Sequence, residues 1–398
     1  MPVVVIDGGA SNARALAASD DGRVLGAARG PAAAAGPVPT AEEAAATGLL
    51  ADHFVALLTP LVSGASDPGG RAAAPRGIGG EHPHVIAGLA GTARPTGAAR
   101  AESALRQALQ RVGITPDAVV LTTDVHLALQ AVATEAAGPA SVLLAGTGSV
   151  ALAMDGQGRS AQAGGYGRHL SDEGGGFWLG VRALAAAARA TDGRAPEARA
   201  LGDAALAALG LADLDALVEA APALWGAPQR VAALAPLVLR LALAGDPAAE
   251  ALLTEAGARL AELALAARGR LALPASAPLG YGGGLLAAYL AEPEEAAAKP
   301  RGSSPTASGR GGPGPSGPPR PVAGTAPAGS GARNRPRFPN PLPAAVRRHL
   351  PDALAERWAP LTAPPAVGAA CRWLAERSGP AAARRLLRQA TRWDRELA

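Results

Sequence analysis

The chain opens with apolar residues from Val3 to Ile6, a glycine-rich polar break from Asp7 to Asn12, and two further apolar runs, ARALAAS and RVLGAA, around a second break at Asp20 to Gly22. Short apolar runs bounded by glycine and aspartate turns predict strands. HVIAGLAG, AVVLTT, SVLLAG and VALAMD read the same way. From Trp178 to about Arg270 the pattern becomes Ala/Leu-rich with helical periodicity, broken by proline or glycine, and predicts several helices. Strands interleaved with helices predict an α/β fold with substantial parallel pairing.

A weak internal repeat sharpens this picture. VVVIDGGASNARALAASDDGRVLG and SVLLAGTGSVALAMDGQGRSAQAGG share the order strand, glycine turn, strand, Asp-Gly turn, strand, with the second turns at Asp21-Gly22 and Asp155-Gly156. The sequence therefore predicts two related halves. One segment fits neither: from Glu292 to Asn340 the chain is rich in Pro, Gly, Ser and Ala and nearly lacks large apolar residues, so residues 292–340 are expected to be a disordered insertion.

Composition narrows the chemistry. The chain has 398 residues, 48% of them hydrophobic, which is enough for two or three domains and a sizeable core. No apolar stretch of spanning length lacks charge, Gly or Pro, and the start has no basic region before its apolar run; the expectation is a cytoplasmic protein with no membrane association. A single cysteine, Cys371, excludes an internal disulfide and a cysteine-built metal site. The net charge of +4 comes almost entirely from arginine, and the densest basic run, Arg384 to Arg395, has helical spacing beside Asp394 and Glu396; it reads as a solvated helix face, and no nucleic-acid partner is expected. His82 and His84 flank Pro83 without other ligands at metal spacing.

Four glycine-bearing turns remain: Asp7-Gly8-Gly9-Ala10-Ser11, Ala145-Gly146-Thr147-Gly148-Ser149, Gly164 to Gly180, and Gly280 to Gly284. Glycine lets backbone N–H groups approach an anion, and a neighbouring hydroxyl adds a donor, so together these turns read as a nucleotide cradle. Neither a Walker GxxxxGK[ST] nor a GxGxxG motif is present. Asp124 ends AVVLTT and begins VHLALQAV, at the carboxyl end of a strand, where it could serve as a general base or simply as a helix N-cap. His126 falls elsewhere on that helix turn and reads as structural.

These motifs, with Leu121 to Asp124, Ser171 to Gly174 and Pro364 to Ala370, resemble in order those of N-acetylglucosamine kinases, within the BadF/BadG/BcrA/BcrD-type ATPases of the sugar kinase, heat-shock and actin superfamily. The resemblance spans nearly the whole chain outside the insertion. It implies two ribonuclease-H-like domains with a cleft between them: residues 1–136, joined by the C-terminal helix 366–398, and residues 137–291 with 341–365. It also implies ATP and Mg2+ as cofactors, a small-molecule sugar as acceptor, and a homodimer as a candidate assembly.

By the same resemblance Gly8, Gly9, Ser11, Gly146, Thr147, Gly148, Gly282, Gly283 and Gly284 would hold ATP, with Ser11 and Thr147 facing phosphates. Asp7 would help hold the magnesium ion through water. Asp124 would take the proton of the sugar 6-hydroxyl, and Gly165, Tyr166, Gly167 and Asp172 would line the sugar, with Glu173 supporting the loop. This chain departs from the pattern at Ala10, Asn12 and Ala13 in the first turn, and at Ala34 and Val150, where sugar-binding asparagines are expected. A nucleotide- or sugar-binding regulatory protein of the same fold, or a kinase for glucosamine or another hexose, are the alternatives. Iron-sulfur ATPases of the family are disfavoured by the lone cysteine.

Overall fold

A computed structural model describes residues 1–9, 12–36, 38, 40–63, 77–136, 138–287, 289–291, 337–361 and 363–397. The first half is β1 (Val3–Gly8), β2 (Ala13–Ala18), β3 (Val24–Gly30), α1 (Glu43–Ser63), β4 (His84–Leu89), α2 (Pro95–Arg111), β5 (Ala118–Thr122) and α3 (Asp124–Ala136). The second runs through β6 (Ala140–Ala145), β7 (Ser149–Met154), β8 (Ser160–Gly164), α4 (Gly176–Thr191), α5 (Arg199–Leu209), α6 (Leu214–Gly226), α7 (Pro228–Ala232), α8 (Ala235–Leu243), α9 (Pro247–Gly269) and β9 (Leu279–Gly282). It continues with β10 (Tyr289–Ala291), β11 (Arg337–Pro339), α10 (Leu342–Arg347), α11 (Asp352–Ala355) and β12 (Trp358–Pro360); α12 (Pro365–Ser378) and α13 (Pro380–Leu397) close the chain.

Two five-stranded sheets result, ordered β3-β2-β1-β4-β5 and β12-β9-β6-β7-β8. Each is a three-stranded antiparallel meander extended by two parallel strands: β1 pairs β2 antiparallel and β4 parallel, as β6 pairs β7 and β9. The repeat read from the sequence is thus a repeat of topology. Its finer register differs from the Asp-Gly match. In the first meander Ser19 N donates to Arg23 O (2.9 Å) and Gly22 N to Ser19 O (2.9 Å); in the second Asp155 N donates to Arg159 O (3.0 Å) and Gly158 N to Asp155 O (3.2 Å). Gly22 and Gly158, at φ 81° and 79°, are the equivalent pair, and Gly156 has no counterpart role. Both turns need a left-handed residue at their fourth position, and the sequence motif does not reveal which glycine supplies it.

The alternation along β1 assigns its faces. Val4 and Ile6 join Phe54, Leu57 and Leu58 of α1 and Leu105 of α2, while Val3 and Val5 join Val367, Ala370 and Leu374 of α12 and Leu386 of α13. Helix α3 serves both halves: Leu127 enters the core of the first sheet, and Val125, Leu129 and Val132 pack on Val142 and Leu152 of the second. Helix α12 crosses α3 so closely that a Cβ on Gly368 would overlap Ala131. These two helices hold the strand ends of both sheets in a fixed relation, which positions the site described below. The second sheet's other face is covered by α4 to α9.

Two expectations change here. Residues 337–340 belong to the fold: Arg337–Pro339 pair antiparallel with Tyr289–Ala291, and Asn340 Nδ2 donates to Leu285 O (2.8 Å) and Ala287 O (2.7 Å). Residues 292–336 of the expected insertion lie outside the described residues. Helix α1 is long and apolar enough, by length and composition, to cross a membrane, yet Leu50, Phe54, Leu57, Leu58 and Leu61 are buried in the first core.

Candidate active site

Asp7 and Asp124 sit at the ends of neighbouring parallel strands. Asp7 stands in register with Gly88 of β4, which is in register with Thr122 at the end of β5, and Asp124 follows two residues later. Gly88 leaves room for this approach: a Cβ there would overlap Leu127 and come within 2.9 Å of Thr123 O. Thr92 Oγ1 lies 2.7 Å from both Leu89 O and Thr122 O, tying the two strand ends together.

Thr123, rather than Asp124, caps α3: its Oγ1 accepts from His126 N (3.2 Å) and lies 2.7 Å from His126 Nδ1. Asp124 Oδ1 accepts from Val125 N (2.9 Å), and the carboxyl also accepts from the N–H of Asp124 itself. The N-cap reading of Asp124 is therefore replaced by a threonine cap beside it. Burial raises the Asp124 pKa against the lowering effect of the backbone N–H bonds. Burial, and then the charge of Asp124, push Asp7 up to about 7, opposed by Arg14, its register partner on β2. His126 is also half-buried, and burial lowers its pKa.

The second glycine turn is held by the helix it faces. Gly146 N donates to Gly148 O (2.9 Å), while the carbonyls of Gly146 and Thr147 receive Gly176 N (2.8 Å) and Phe177 N (2.9 Å) from the first turn of α4. The N–H groups of that helix end are thus spent on the turn. Asp172 braces the same turn: its carboxylate accepts from the backbone N–H of Ser149 and of Gly167, and a Cβ on Gly148 would lie 2.5 Å from Asp172 Oδ2. Asp172 has φ 69°, a left-handed conformation that costs a non-glycine residue about 1 kcal/mol. Burial raises its pKa. Ser149 Oγ donates to Glu173 O (2.7 Å), so Glu173 supports the loop through its main chain.

Gly165, Tyr166 and Gly167 are exposed, with Gly165 set against Val150. Arg94, just before α2 in the first half, donates from Nη2 to Tyr166 O (3.2 Å) and links the two halves. Gly283, at φ 92°, lies against the backbone of Ala145, so Gly282 to Gly284 adjoin the turn at Gly146. Of the expected phosphate ligands, Ser11 and its neighbour Ala10 lie outside the described residues. Gly8 and Gly9 close β1, and Gly9 N donates to Asn12 O (3.0 Å).

Among the described residues no group of three or more His, Cys, Asp or Glu could hold a metal ion on its own. Asp7, whose ionisation is opposed by burial and by the charge of Asp124, is the carboxylate that the resemblance assigns to a metal, and a cation there with water and phosphate as its other ligands would relieve that opposition. Cys371 is buried in α12, and burial pushes its thiol up to about 11, so it is a packing residue. His84 packs against Trp373, ring centroids 5.6 Å apart. Thr123, Ser149 and Arg94 escaped the sequence reading, since each acts through partners distant in sequence or through a backbone group.

Residues 4–292 match the BadF/BadG/BcrA/BcrD ATPase family. The fold is similar to that of a proposed N-acetylglucosamine kinase from Chromobacterium violaceum, at TM-score 0.59 and 24% identity over 93% of this chain and 98% of that one. A second proposed N-acetylglucosamine kinase, from Porphyromonas gingivalis, gives TM-score 0.50 at 20% identity, over 70% and 84% of the two chains. The N-acetylmuramic acid/N-acetylglucosamine kinase of Clostridium acetobutylicum is 37% identical over 62 residues, 16% of this chain and 20% of the relative, so that match spans about a fifth of the relative's length.

Proposed function

The chain belongs to the BadF/BadG/BcrA/BcrD ATPase family, and from that membership we propose that it is a cytoplasmic ATP-dependent kinase transferring the γ-phosphoryl group to the 6-hydroxyl of an amino sugar, foremost N-acetyl-D-glucosamine. The observation that carries this reading is Asp124. It is a half-buried carboxyl with raised pKa, just past the end of a strand in the first sheet, and the helix cap is made by its neighbour Thr123. A base whose pKa is lifted toward neutrality is better matched to taking a hydroxyl proton.

In the proposed reaction the sugar 6-oxygen forms a bond to the γ-phosphorus as the bond from that phosphorus to its bridging oxygen breaks, and ADP leaves. The 6-hydroxyl proton passes to Asp124. Gly8 and Gly9 in the first turn, and Gly146, Thr147 and Gly148 in the second, would border the phosphates as turns that let the backbone approach them closely, with the hydroxyls of Thr147 and Ser11 as donors. Gly282, Gly283 and Gly284 border the nucleotide, while Gly165, Tyr166, Gly167 and Asp172 line the acceptor. Asp172 already serves Ser149 and Gly167, so a sugar hydroxyl would bond a carboxylate oriented in advance. Bound Mg2+ would be held near Asp7 and would supply charge neutralisation at the phosphates.

The direct test measures ATP consumption and product with N-acetylglucosamine, N-acetylmuramic acid, glucosamine and glucose, identifying the phosphorylated position by NMR. Transfer to the 6-hydroxyl of an amino sugar supports the reading. Nucleotide binding without transfer to any of them sinks it in favour of a binding protein of the same fold.

A further inference from the structure

The buried stripe of α2 contains Gly97, Ala101, Ala104, Leu105 and Ala108, and among them Arg100, whose side chain is only 4% exposed. Its guanidinium grips Glu43, the first residue of α1, through Nε to Oε1 (2.7 Å) and Nη2 to Oε2 (2.7 Å), and Nη1 donates to Gly36 O. Glu43 is 40% exposed, and an ion pair open to solvent on one side adds little net stability, so its value lies in the geometry it imposes. Here the third arm of the fork reaches the segment Pro31–Gly36, which leaves β3 and crosses the ends of β1 and β4.

That segment is anchored further by backbone alone. Ala35 N donates to Ala90 O (2.8 Å), and Ala33 N donates to Gly9 O (3.2 Å) in the first glycine turn. Gly91 and Gly97 press on it so tightly that a Cβ on either would lie 2.6 Å and 2.7 Å, respectively, from Ala35 O. Ala33 and Ala35 are buried in the core and Ala34 between them is not, so the segment has no polar side chain with which to fix itself. A continuous path runs from Glu43 through Arg100 and Gly36 to Ala33 and Gly9.

We infer that Arg100 is a positioning residue for the first phosphate turn: its fork sets the segment Pro31–Gly36, and the segment sets Gly9. Lysine cannot replace it, since a single ammonium cannot hold both oxygens of Glu43 and the Gly36 carbonyl in one plane. The inference rests on the reading of Gly8 and Gly9 as a phosphate turn, and its test needs no acceptor sugar.

The test compares the full chain with Arg100→Lys and with the double variant Arg100→Met/Glu43→Leu, which removes both charges together. It measures thermal midpoint, affinity for a non-hydrolysable ATP analogue and for adenosine, and amide exchange at Ala33 and Ala35. Expected are folded variants, faster exchange at both amides, analogue affinity reduced about tenfold, the scale of one charge-assisted hydrogen bond, and adenosine affinity unchanged. Should the double variant not fold, Arg100→Lys decides. Wild-type analogue affinity in the variants, or equal losses for analogue and adenosine, overturns the inference. A wild-type chain that binds no ATP analogue overturns instead the kinase reading beneath it.

Discussion

The charge of Asp124 is, after burial, the largest force lifting the Asp7 carboxyl, which reaches about 7 at the end of the adjoining parallel strand. The folded protein therefore keeps a proton on Asp7 that the unfolded chain, near 3.8, has lost. Because the folded value is raised, stability falls as pH rises from about 4 to about 7. The displacement corresponds to at most about 4 kcal/mol above pH 7, at roughly 1.4 kcal/mol per pH unit. Asp7→Asn should thus match the wild type near pH 4 and be more stable at pH 8, while Mg2+ with nucleotide should stabilise only the wild type. Thermal melts across pH check this, and a stability difference independent of pH would refute it.

Asp124→Asn should reduce transfer by roughly a hundred- to ten-thousandfold, the range expected for a general base. Nucleotide affinity should be unchanged, because the proton is moved only in the transition state. Steady-state kinetics with calorimetric titration of an ATP analogue separates the two quantities. Turnover near the wild-type level would remove Asp124 from the mechanism.

Gly148 and Asp172 form a second testable pair. Gly148→Ala would place a methyl 2.5 Å from Asp172 Oδ2 and 2.7 Å from its Cγ. It should cost about 1–3 kcal/mol of stability by overpacking and raise KM for ATP. In an Asp172→Ala background the same change should cost measurably less, since the obstructing carboxylate is gone. Denaturant melts of all four proteins supply the cycle, and additivity would show that the two residues do not constrain each other.

The paired meanders predict an ordering among glycines. Gly156→Ala should be nearly neutral, with nothing within 4 Å of its Cβ and no positive φ. Gly158→Ala should lose about 1–2 kcal/mol through its left-handed backbone. Gly22→Ala should lose more, because its Cβ would also overlap the Ala382 carbonyl of α13. Melting temperatures rank the three, and a Gly156 penalty as large as that of Gly158 would contradict the register.

Ala291 and Arg337 are opposite each other in the β10–β11 pair. A two-residue Asn-Gly turn can join antiparallel neighbours, so replacing residues 292–336 by Asn-Gly should leave solubility and melting temperature close to those of the full chain. A deletion carried through Asn340 should be clearly less stable, having lost β11 and the bonds to Leu285 and Ala287. Equal behaviour of the two deletions would exclude a structural role for 337–340.

The strands from Val3 to Met154 were legible because each is a short apolar run between glycine or aspartate breaks, a pattern that depends only on local solvation and turn chemistry. Glycine turns at the strand ends, and a carboxylate after β5, were legible for the same reason. The hidden parts depend on residues far apart in the chain. Nothing around Thr123 marks it as the cap in place of Asp124, and Gly158 rather than Gly156 matches Gly22 only once both hairpins are closed. Arg100 could have been suspected, as a charge within an otherwise apolar helical stripe, but not its reach to Gly36.

Local pattern by itself determined the two similar halves, their glycine turns and the candidate base, since hydrophobic periodicity and backbone permissiveness are properties of short segments. Tertiary structure decided which of those groups act on one another. Only the parallel alignment of β1, β4 and β5 brings Asp124 close enough to shift Asp7, and only the fold turns Asp172 onto Ser149 and Gly167. Burial and charge act through space, and the distances they act over are set when the strands align.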